Sequence, residues 1–203
     1  LFETIDCILT PRGLGLGDLP KALIAFHRYD AGDIRTALEE QLVEAALHVA
    51  DGSGMCRVHF TLSPEHQLEV EAHIEKIRVS LEKRLGTHFS ISLSPQHSST
   101  NTLAVTTDDT PFRDDKGRLL FRPGGHGSLL KNLDDYDGDI VFIKNIDNIV
   151  PDRLKDDVIL YKKLLGGYLL YIQDIIFRHL ELLEGKTGND EMFTVIENFC
   201  REY

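Results

Sequence analysis

Two stretches, Arg57-Val-His-Phe-Thr-Leu62 and His88-Phe-Ser-Ile-Ser-Leu93, decide the fold class of this chain of 203 residues. Each alternates apolar and polar residues and is rich in residues that favour β-structure, so each predicts a strand. Between them, Ser63-Pro64 is typical of a helix start, and apolar residues recur at helical spacing as far as Leu85. A strand, a helix and a second strand in this order predict an α/β fold with parallel strands in the middle of its sheet.

Further segments extend this pattern on both sides. The run from Leu19 to Phe26 predicts a short buried strand, and residues 33–49 predict a helix whose N-cap is Asp33. Asp139-Ile-Val-Phe-Ile-Lys144 is continuously apolar, which is typical of a central strand that is buried on both faces. Leu103-Ala-Val-Thr106 and Arg118-Leu-Leu-Phe-Arg122 are predicted to pair as a hairpin.

The C-terminal quarter of the chain is predicted to be helical. Apolar residues recur at helical spacing from Leu154 to Leu183, and Gly166-Gly167 is expected to kink or split that helix. A last helix is predicted at about Glu191 to Arg201. We therefore expect residues 1–153 to form an α/β core and residues 154–203 to form a helical part of the same domain.

Composition limits the classes of partner. The net charge is -11, so a broad nucleic-acid surface is not expected, since that needs clustered Lys and Arg. The three cysteines are widely spaced and show neither a disulfide framework nor a zinc pattern, which predicts a reducing, cytoplasmic location. No apolar run approaches the ~20 residues of a membrane helix, so no membrane partner is expected. The oligomeric state is not indicated.

The run Arg122-Pro-Gly-Gly-His-Gly127 is the first candidate binding segment. Gly124, Gly125 and Gly127 would let the backbone approach a ligand without obstruction by side chains. A short helix is predicted from the glycines to Leu133, and its N-terminal end would favour an anion. The alternative interpretation is a plain turn between a strand and a helix.

The run Asn145-Ile-Asp-Asn148 is the second candidate, because it directly follows the predicted central strand. Ligands of open α/β sheets bind at the carboxyl ends of the strands. Asp147 could hold Mg²⁺, which takes one or two carboxylates together with phosphate oxygens. Asn145 and Asn148 could orient Asp147 or contact hydroxyl groups. The alternative is that these Asn and Asp residues only form a turn.

Together these runs resemble the uridylyltransferases of the UDP-sugar pyrophosphorylase type, which have a Pro-x-Gly-His-Gly loop and an Asn-x-Asp-Asn strand end. Leu19-Pro-Lys-Ala-Leu23 resembles their Pro-Lys element, and Ser94-Pro-Gln96 lies where they carry a glutamine that contacts uracil. The resemblance implies a three-layer GT-A/Rossmann-like fold with a mixed, mainly parallel sheet flanked by helices. Nearly the whole chain also resembles an uncharacterised bacterial family of domains of unknown function, best represented in Bacteroidetes.

The resemblance assigns roles to individual residues. Lys21 and Asp147 would be catalytic, with Lys21 contacting phosphate and Asp147 binding Mg²⁺. Nucleotide-binding roles would fall to Gln96, Gly124, Gly125, His126, Gly127, Asn145 and Asn148. The predicted function is a nucleotidyltransferase that joins a nucleoside triphosphate, with Mg²⁺, to an acceptor of the sugar-1-phosphate kind. The alternative is a non-catalytic module that binds a nucleotide or a nucleotide-sugar.

That alternative stays open because the chain departs from the enzymes at one place. They carry Gly-x-Gly-Thr-Arg shortly before the Pro-Lys element, whereas this chain has Gly13-Leu-Gly-Leu-Gly17, with Arg12 ahead of it and no Thr-Arg pair. The chain begins at Leu1 without a methionine. We therefore expect it to be part of a longer protein whose triphosphate loop lies upstream. No segment after Pro151 matches the acceptor-binding half of the enzymes.

Overall fold

The computed structural model describes residues 1–30, 32–185 and 189–203, and it describes the backbone but not the side chain of His126. In chain order the elements are α1 (Phe2–Leu9), β1 (Ala25–Arg28), β2 (Ile34–Thr36), α2 (Ala37–His48), β3 (Met55–Leu62), α3 (Gln67–Leu85), β4 (His88–Pro95), β5 (Thr102–Leu103), β6 (Phe121–Arg122), α4 (Leu130–Asp134), α5 (Lys155–Glu184) and α6 (Asp190–Glu202). About half of these residues are helical, and the strands form three two-stranded sheets. The fold is therefore mixed α/β.

The parallel pair β3–β4 and the helix α3 that connects it confirm the strand–helix–strand prediction. The two strands pair in register from Met55 with His88 to Leu62 with Pro95. The helix ends at Gly86, whose φ of 63° is a left-handed conformation that glycine adopts without steric cost. Since the strands are parallel, their carboxyl ends lie side by side after Leu62 and Pro95.

The core lies between α2, α3 and the β3–β4 pair. Apolar side chains from all of these elements meet there and exclude water, which is the main favourable contribution to folding. The buried members of this cluster are Leu38, Leu42, Val43, Cys56, Val70, Ile74, Ile77, Leu81 and Phe89. Burial raises the pKa of the Cys56 thiol to about 11, so this cysteine stays protonated and packs as a small apolar side chain.

The start of α2 corrects the predicted helix boundary. Asp33 is not its N-cap, because residues 34–36 pair with β1 as an antiparallel strand. Thr36 caps the helix instead: its hydroxyl accepts from the Glu39 amide at 3.2 Å, and the Glu39 carboxylate accepts from the Thr36 amide at 2.6 Å. This reciprocal capping box satisfies two amides that would otherwise lack partners. Asp33 instead forms ion pairs with Arg35 and Arg84.

The predicted central strand, residues 139–144, is not a strand in the described part of the chain. Ile143 is 76% exposed, and the segment joins none of the three sheets. Side chains of α2 hold its end, because Lys144 pairs with Glu44 and Gln41 donates to the carbonyl groups that follow. The described strands form three two-stranded sheets, so the prediction of one mainly parallel sheet around this segment is wrong for the described residues. The GT-A arrangement stays a prediction.

Two other strand predictions have different outcomes. The Leu19–Phe26 run begins with a 3₁₀ turn, Lys21–Leu23, and its strand β1 starts later and pairs only with β2. That run is therefore not the buried strand that was predicted. The predicted hairpin is confirmed, since β5 and β6 pair antiparallel, Thr102 with Arg122 and Leu103 with Phe121.

The chain divides into two compact units, Leu1–Lys155 and Asp156–Tyr203. The second unit contains most of α5, together with α6. The helix α5 continues through Gly166-Gly167, so the predicted split does not occur. Asn189 caps α6 by accepting from the Met192 amide at 2.9 Å, close to the predicted start of the last helix. Among the described residues, no helix is both long and apolar enough to cross a membrane.

Candidate functional site

Lys21 and Asp147 lie in contact although 126 positions separate them in the sequence. The Nζ atom of Lys21 donates to Oδ2 of Asp147 at 2.7 Å. Lys21 begins the 3₁₀ turn that follows Pro20, and Asp147 lies in the loop before α5. Their side chains are 69% and 44% exposed. The fold thus brings together the lysine and the aspartate to which catalytic roles were assigned.

The Asn145–Asn148 segment is a turn that α2 holds in place. The Asn148 amide donates to the Asn145 carbonyl at 3.1 Å, which closes the turn. From α2, Nε2 of Gln41 donates to the carbonyls of Asn145 and Ile146 at 2.9 and 3.1 Å. Asn145 and Asn148 themselves are exposed. The turn interpretation therefore describes this backbone, and the turn presents Asp147 toward Lys21.

A cluster of charged side chains ties the neighbouring segments together. Lys155 donates to Glu40 and, at 2.9 Å, to Asp152, while Arg35 donates to Asp152 at 2.9 Å. Burial raises the pKa of the Asp152 carboxyl, but hydrogen bonds from Lys155 and Arg35 outweigh this and hold it below its ordinary value. Burial and a hydrogen bond to Glu40 raise the pKa of Tyr29. The positive charges of Lys155 and Arg35 thus neutralise the negative charges of Glu40 and Asp152.

A cleft of about 560 Å³ opens at the carboxyl ends of β3 and β4. It is lined by His59, Pro64, Ser94, Pro95, Gln96, His97, Ser98, Asn132, Asp135 and Tyr136. Gln96 follows β4 directly, and its Nε2 atom lies 3.4 Å from the Thr100 hydroxyl, to which it donates. The residue predicted to contact a base therefore lies in a cleft at the end of a parallel strand pair, where ligands bind in α/β folds.

The glycine loop lies against this region. A Cβ atom at Gly124 would come within 3.2 Å of the Thr100 carbonyl, so that position packs closely. At Gly125 and Gly127 a Cβ atom would meet no described atom within 4 Å apart from the adjoining backbone, and neither residue has a positive φ. Neither local packing nor backbone conformation therefore requires glycine there. The side chain of His126 lies outside the described part of the structure.

His59 lies on β3 between two serines of β4. Its Nδ1 is 2.7 Å from the Ser92 hydroxyl and its Nε2 is 2.8 Å from the Ser94 hydroxyl. Burial lowers the pKa of His59, so the ring is neutral at neutral pH. The sequence motifs do not single out this histidine, and its pairing with two serines follows from the strand register.

The Gly13–Gly17 loop does not present free amides to a phosphate. The amides of Leu14, Leu16 and Gly17 donate to carbonyls at the end of α1, at 2.8, 3.0 and 3.0 Å. A Cβ atom at Gly13 would lie only 1.9 Å from the carbonyl oxygen of Cys7, so this approach requires glycine. The loop is therefore a cap for the C-terminal end of α1.

The fit to Mg²⁺ depends on the ligand. The described residues contain no group of three or more His, Cys, Asp or Glu side chains that could hold a metal ion. Asp147 offers one carboxylate, and Mg²⁺ is commonly held by one or two carboxylates with phosphate oxygens and water completing the shell. The site thus fits Mg²⁺ as a partner of a bound phosphate and not as an independent metal centre.

Comparison with known protein families shows the family of this chain. Residues 1–203 match the family model described as Domain of unknown function (DUF4301). The chain belongs to this family. No curated protein and no solved structure matches the chain. The predicted membership of an uncharacterised domain family is therefore confirmed. The resemblance to UDP-sugar pyrophosphorylases gains no support from these comparisons and stays a prediction.

Two residues of the DUF4301 domain that shape the site were not found from the sequence. Gln41 acts on backbone carbonyls more than 100 positions away, and such a contact leaves no local signal. Asn132 is buried on α4 and contacts the last residue of β4 and the His97 amide after it. A polar residue among the leucines that follow the glycine loop was the one available signal for it.

Proposed function

We propose that this DUF4301 domain binds a nucleoside triphosphate with Mg²⁺ and acts as a nucleotidyltransferase-like domain on an acceptor of the sugar-1-phosphate kind. The observation that carries the proposal is the 2.7 Å contact between Lys21 and Asp147. The resemblance assigns a phosphate contact to the first and a metal contact to the second, and these roles require the two side chains to lie near the same phosphate groups.

A bound ligand could replace the Lys21–Asp147 ion pair at little energetic cost. Both side chains are exposed, and an exposed pair contributes only about 0–1 kcal/mol. A phosphate would replace the carboxylate at Lys21, and Mg²⁺ held by Asp147 would neutralise phosphate charge. Phosphoryl-type transfer needs mainly positioning and charge neutralisation, which these two groups would supply.

The cleft and the glycine loop support a place for the nucleoside. Gln96 offers an amide with donor and acceptor groups at the cleft, where it would contact the base. Gly125 and Gly127 leave open space beside their Cα atoms, so their backbone could lie against base and ribose. A GT-A-like arrangement and a cytoplasmic location belong to the same proposal.

A thermal-shift assay tests the proposal. UTP with Mg²⁺ at about 100 times its Kd should raise the melting temperature by about 5 °C or more. Asp147→Ala should abolish the shift, whereas Asp139→Ala, at an exposed aspartate of the same segment, should retain it. Absence of a shift with UTP, CTP, GTP and ATP in the presence of Mg²⁺ would contradict the proposal.

A second candidate is a non-catalytic nucleotide or nucleotide-sugar module. The amides of the Gly13–Gly17 loop favour it, because they are bonded to α1 where the enzymes have their triphosphate loop. Exchange of labelled pyrophosphate into UTP, measured with a sugar-1-phosphate present to accept the uridylyl group as pyrophosphate leaves, distinguishes the two candidates. Measurable exchange that Lys21→Ala removes supports the transferase, and nucleotide binding without exchange supports the module.

A further inference from the structure

Asn132 is a buried polar side chain whose hydrogen-bonding groups all have partners in the cleft wall. It is 6% exposed. Its Nδ2 atom donates to the Pro95 carbonyl at 2.8 Å and to the Ser94 hydroxyl at 2.9 Å. Its Oδ1 atom accepts from the His97 amide at 3.3 Å. Because a carbonyl can only accept and an amide N–H can only donate, these partners fix the orientation of the Asn132 amide.

The partners of Asn132 flank Gln96. Pro95 precedes that residue and His97 follows it, so the Asn132 side chain holds the backbone on both sides of Gln96. The two bonds come from one short, buried group on α4. The direction in which the Gln96 side chain points from the backbone therefore depends on Asn132.

A second, longer contact involves the side chain of Gln96. Its Nε2 donates to the Thr100 hydroxyl at 3.4 Å, and that hydroxyl donates to the His97 carbonyl at 2.6 Å. Gly124 packs on the Thr100 carbonyl. Gly124 and Asn132 belong to one segment of nine residues, and this segment contacts the Gln96 region at two points.

We infer that Asn132 is a positioning residue for base recognition, which fixes Gln96 relative to the glycine loop and thereby sets which nucleobase the cleft selects. This inference rests on the proposed nucleotide-binding function. Asn132 contacts neither the base nor the phosphates; it acts through the residues that flank Gln96.

The hydrogen bonds that Asn132 makes to Pro95 and His97 require a side-chain amide. An aspartate at position 132 would keep the acceptor for the His97 amide but would place a carboxylate oxygen against the Pro95 carbonyl. The Ser94 hydroxyl, which accepts from Nδ2 of Asn132, also lies 2.8 Å from Nε2 of His59. Nδ1 of His59 lies 2.7 Å from the Ser92 hydroxyl. The same isosteric change therefore removes the donor that Asn132 offers to Ser94.

Calorimetric titration of the full chain with the Mg²⁺ complexes of UTP, CTP, GTP and ATP tests the inference. Asn132→Asp should reduce the ratio between the weakest and the tightest Kd by about tenfold, which corresponds to one lost hydrogen bond. The Kd for Mg²⁺-tripolyphosphate should stay unchanged. Lys21→Ala should weaken all four nucleotides by a similar factor and leave the ratio unchanged. An unaltered ratio in Asn132→Asp would overturn the inference.

A second variant and a measurement without ligand distinguish loss of positioning from a folding defect. Thr100→Val removes the hydroxyl that holds Gln96 and should lower the same ratio. In NMR spectra of the free protein, both variants should shift the side-chain amide resonances of Gln96, and unchanged resonances would overturn the positioning role. If the wild-type protein binds none of the four nucleotides, base selection fails together with the proposed function, while the Gln96 resonances still decide whether Asn132 positions that residue.

Discussion

The Lys21–Asp147 ion pair is exposed enough that removing either charge should leave the fold intact. A loss of nucleotide binding in a variant of this pair therefore reports on ligand contacts and not on unfolding. The same reasoning does not hold for the half-buried and buried groups of the first unit. The half-buried His59 and the buried Asn132, for example, hold neighbouring segments as well as lining the cleft.

His59 predicts how stability depends on pH. Burial lowers its pKa, so below the ordinary histidine value of about 6.5 the unfolded chain binds this proton more readily than the folded chain does. The stabilisation from a neutral His59 is present above that pH and is lost as the pH falls. In urea titrations, the free energy of unfolding should fall less between about pH 7.5 and about pH 5 in His59→Gln than in the wild type. His88→Gln, at an exposed histidine, should follow the wild type; an equal fall in all three would refute this role of His59.

At the residue scale, the sequence motifs predicted Lys21, Asp147 and Gln96 as site candidates, and the first two lie together. The sequence could not predict the residues that hold the segments of the site in place. Gln41 and Asn132 contact backbone groups, which have no side-chain identity to leave a motif. Long-range hydrogen bonds of this kind depend on the assembled fold.

The helix α3 offers a matched test of the core. Val70 is 1% exposed and Val79 is 70% exposed on the same helix. Val70→Ala removes buried methyl groups and leaves a cavity, so it should lower the free energy of unfolding by about 2 kcal/mol. Val79→Ala should change it by less than about 0.5 kcal/mol. Equal effects of the two substitutions in urea unfolding would show that α3 does not pack as described.

The start of α2 offers a test of the corrected boundary. Thr36→Ala removes the capping hydroxyl and should lower the free energy of unfolding by about 1 kcal/mol, whereas Thr36→Ser should retain most of it. Asp33→Ala removes the ion pairs of a half-exposed carboxylate with Arg35 and Arg84 and should cost less than the loss of the cap. A larger loss for Asp33→Ala than for Thr36→Ala would support the cap that the sequence predicted.

Elements were predictable where the signal is local. Alternation within β3 and β4 and helical spacing within α3 are properties of short windows, and the structure confirms all three. Residues 139–144 have the composition of a buried strand, yet strand formation needs a partner elsewhere in the chain. The composition of a segment does not specify that partner, so this prediction failed.

Within the first unit, buried charges connect segments that are distant in sequence. Glu40 is 0% exposed and Lys155 is 2% exposed, and their contact spans 115 positions. Lys155→Met would leave Glu40 buried with less compensation, so it should lower the free energy of unfolding by about 3 kcal/mol. Lys83→Met, at an exposed lysine, should have an effect below about 0.5 kcal/mol. Similar urea midpoints for both variants would contradict a structural role of the cluster.

The proposed nucleotide site can be tested in one experiment on the whole chain. Backbone amide resonances of the ¹⁵N-labelled protein should be followed by NMR while UTP and Mg²⁺ are added. We expect shifts at Lys21 and Asp147 together with shifts at Gln96, Gly125 and Gly127, because phosphates and base would contact these two groups of residues. No shifts at saturating nucleotide, or shifts confined to residues 156–203, would contradict a nucleotide site in the first unit.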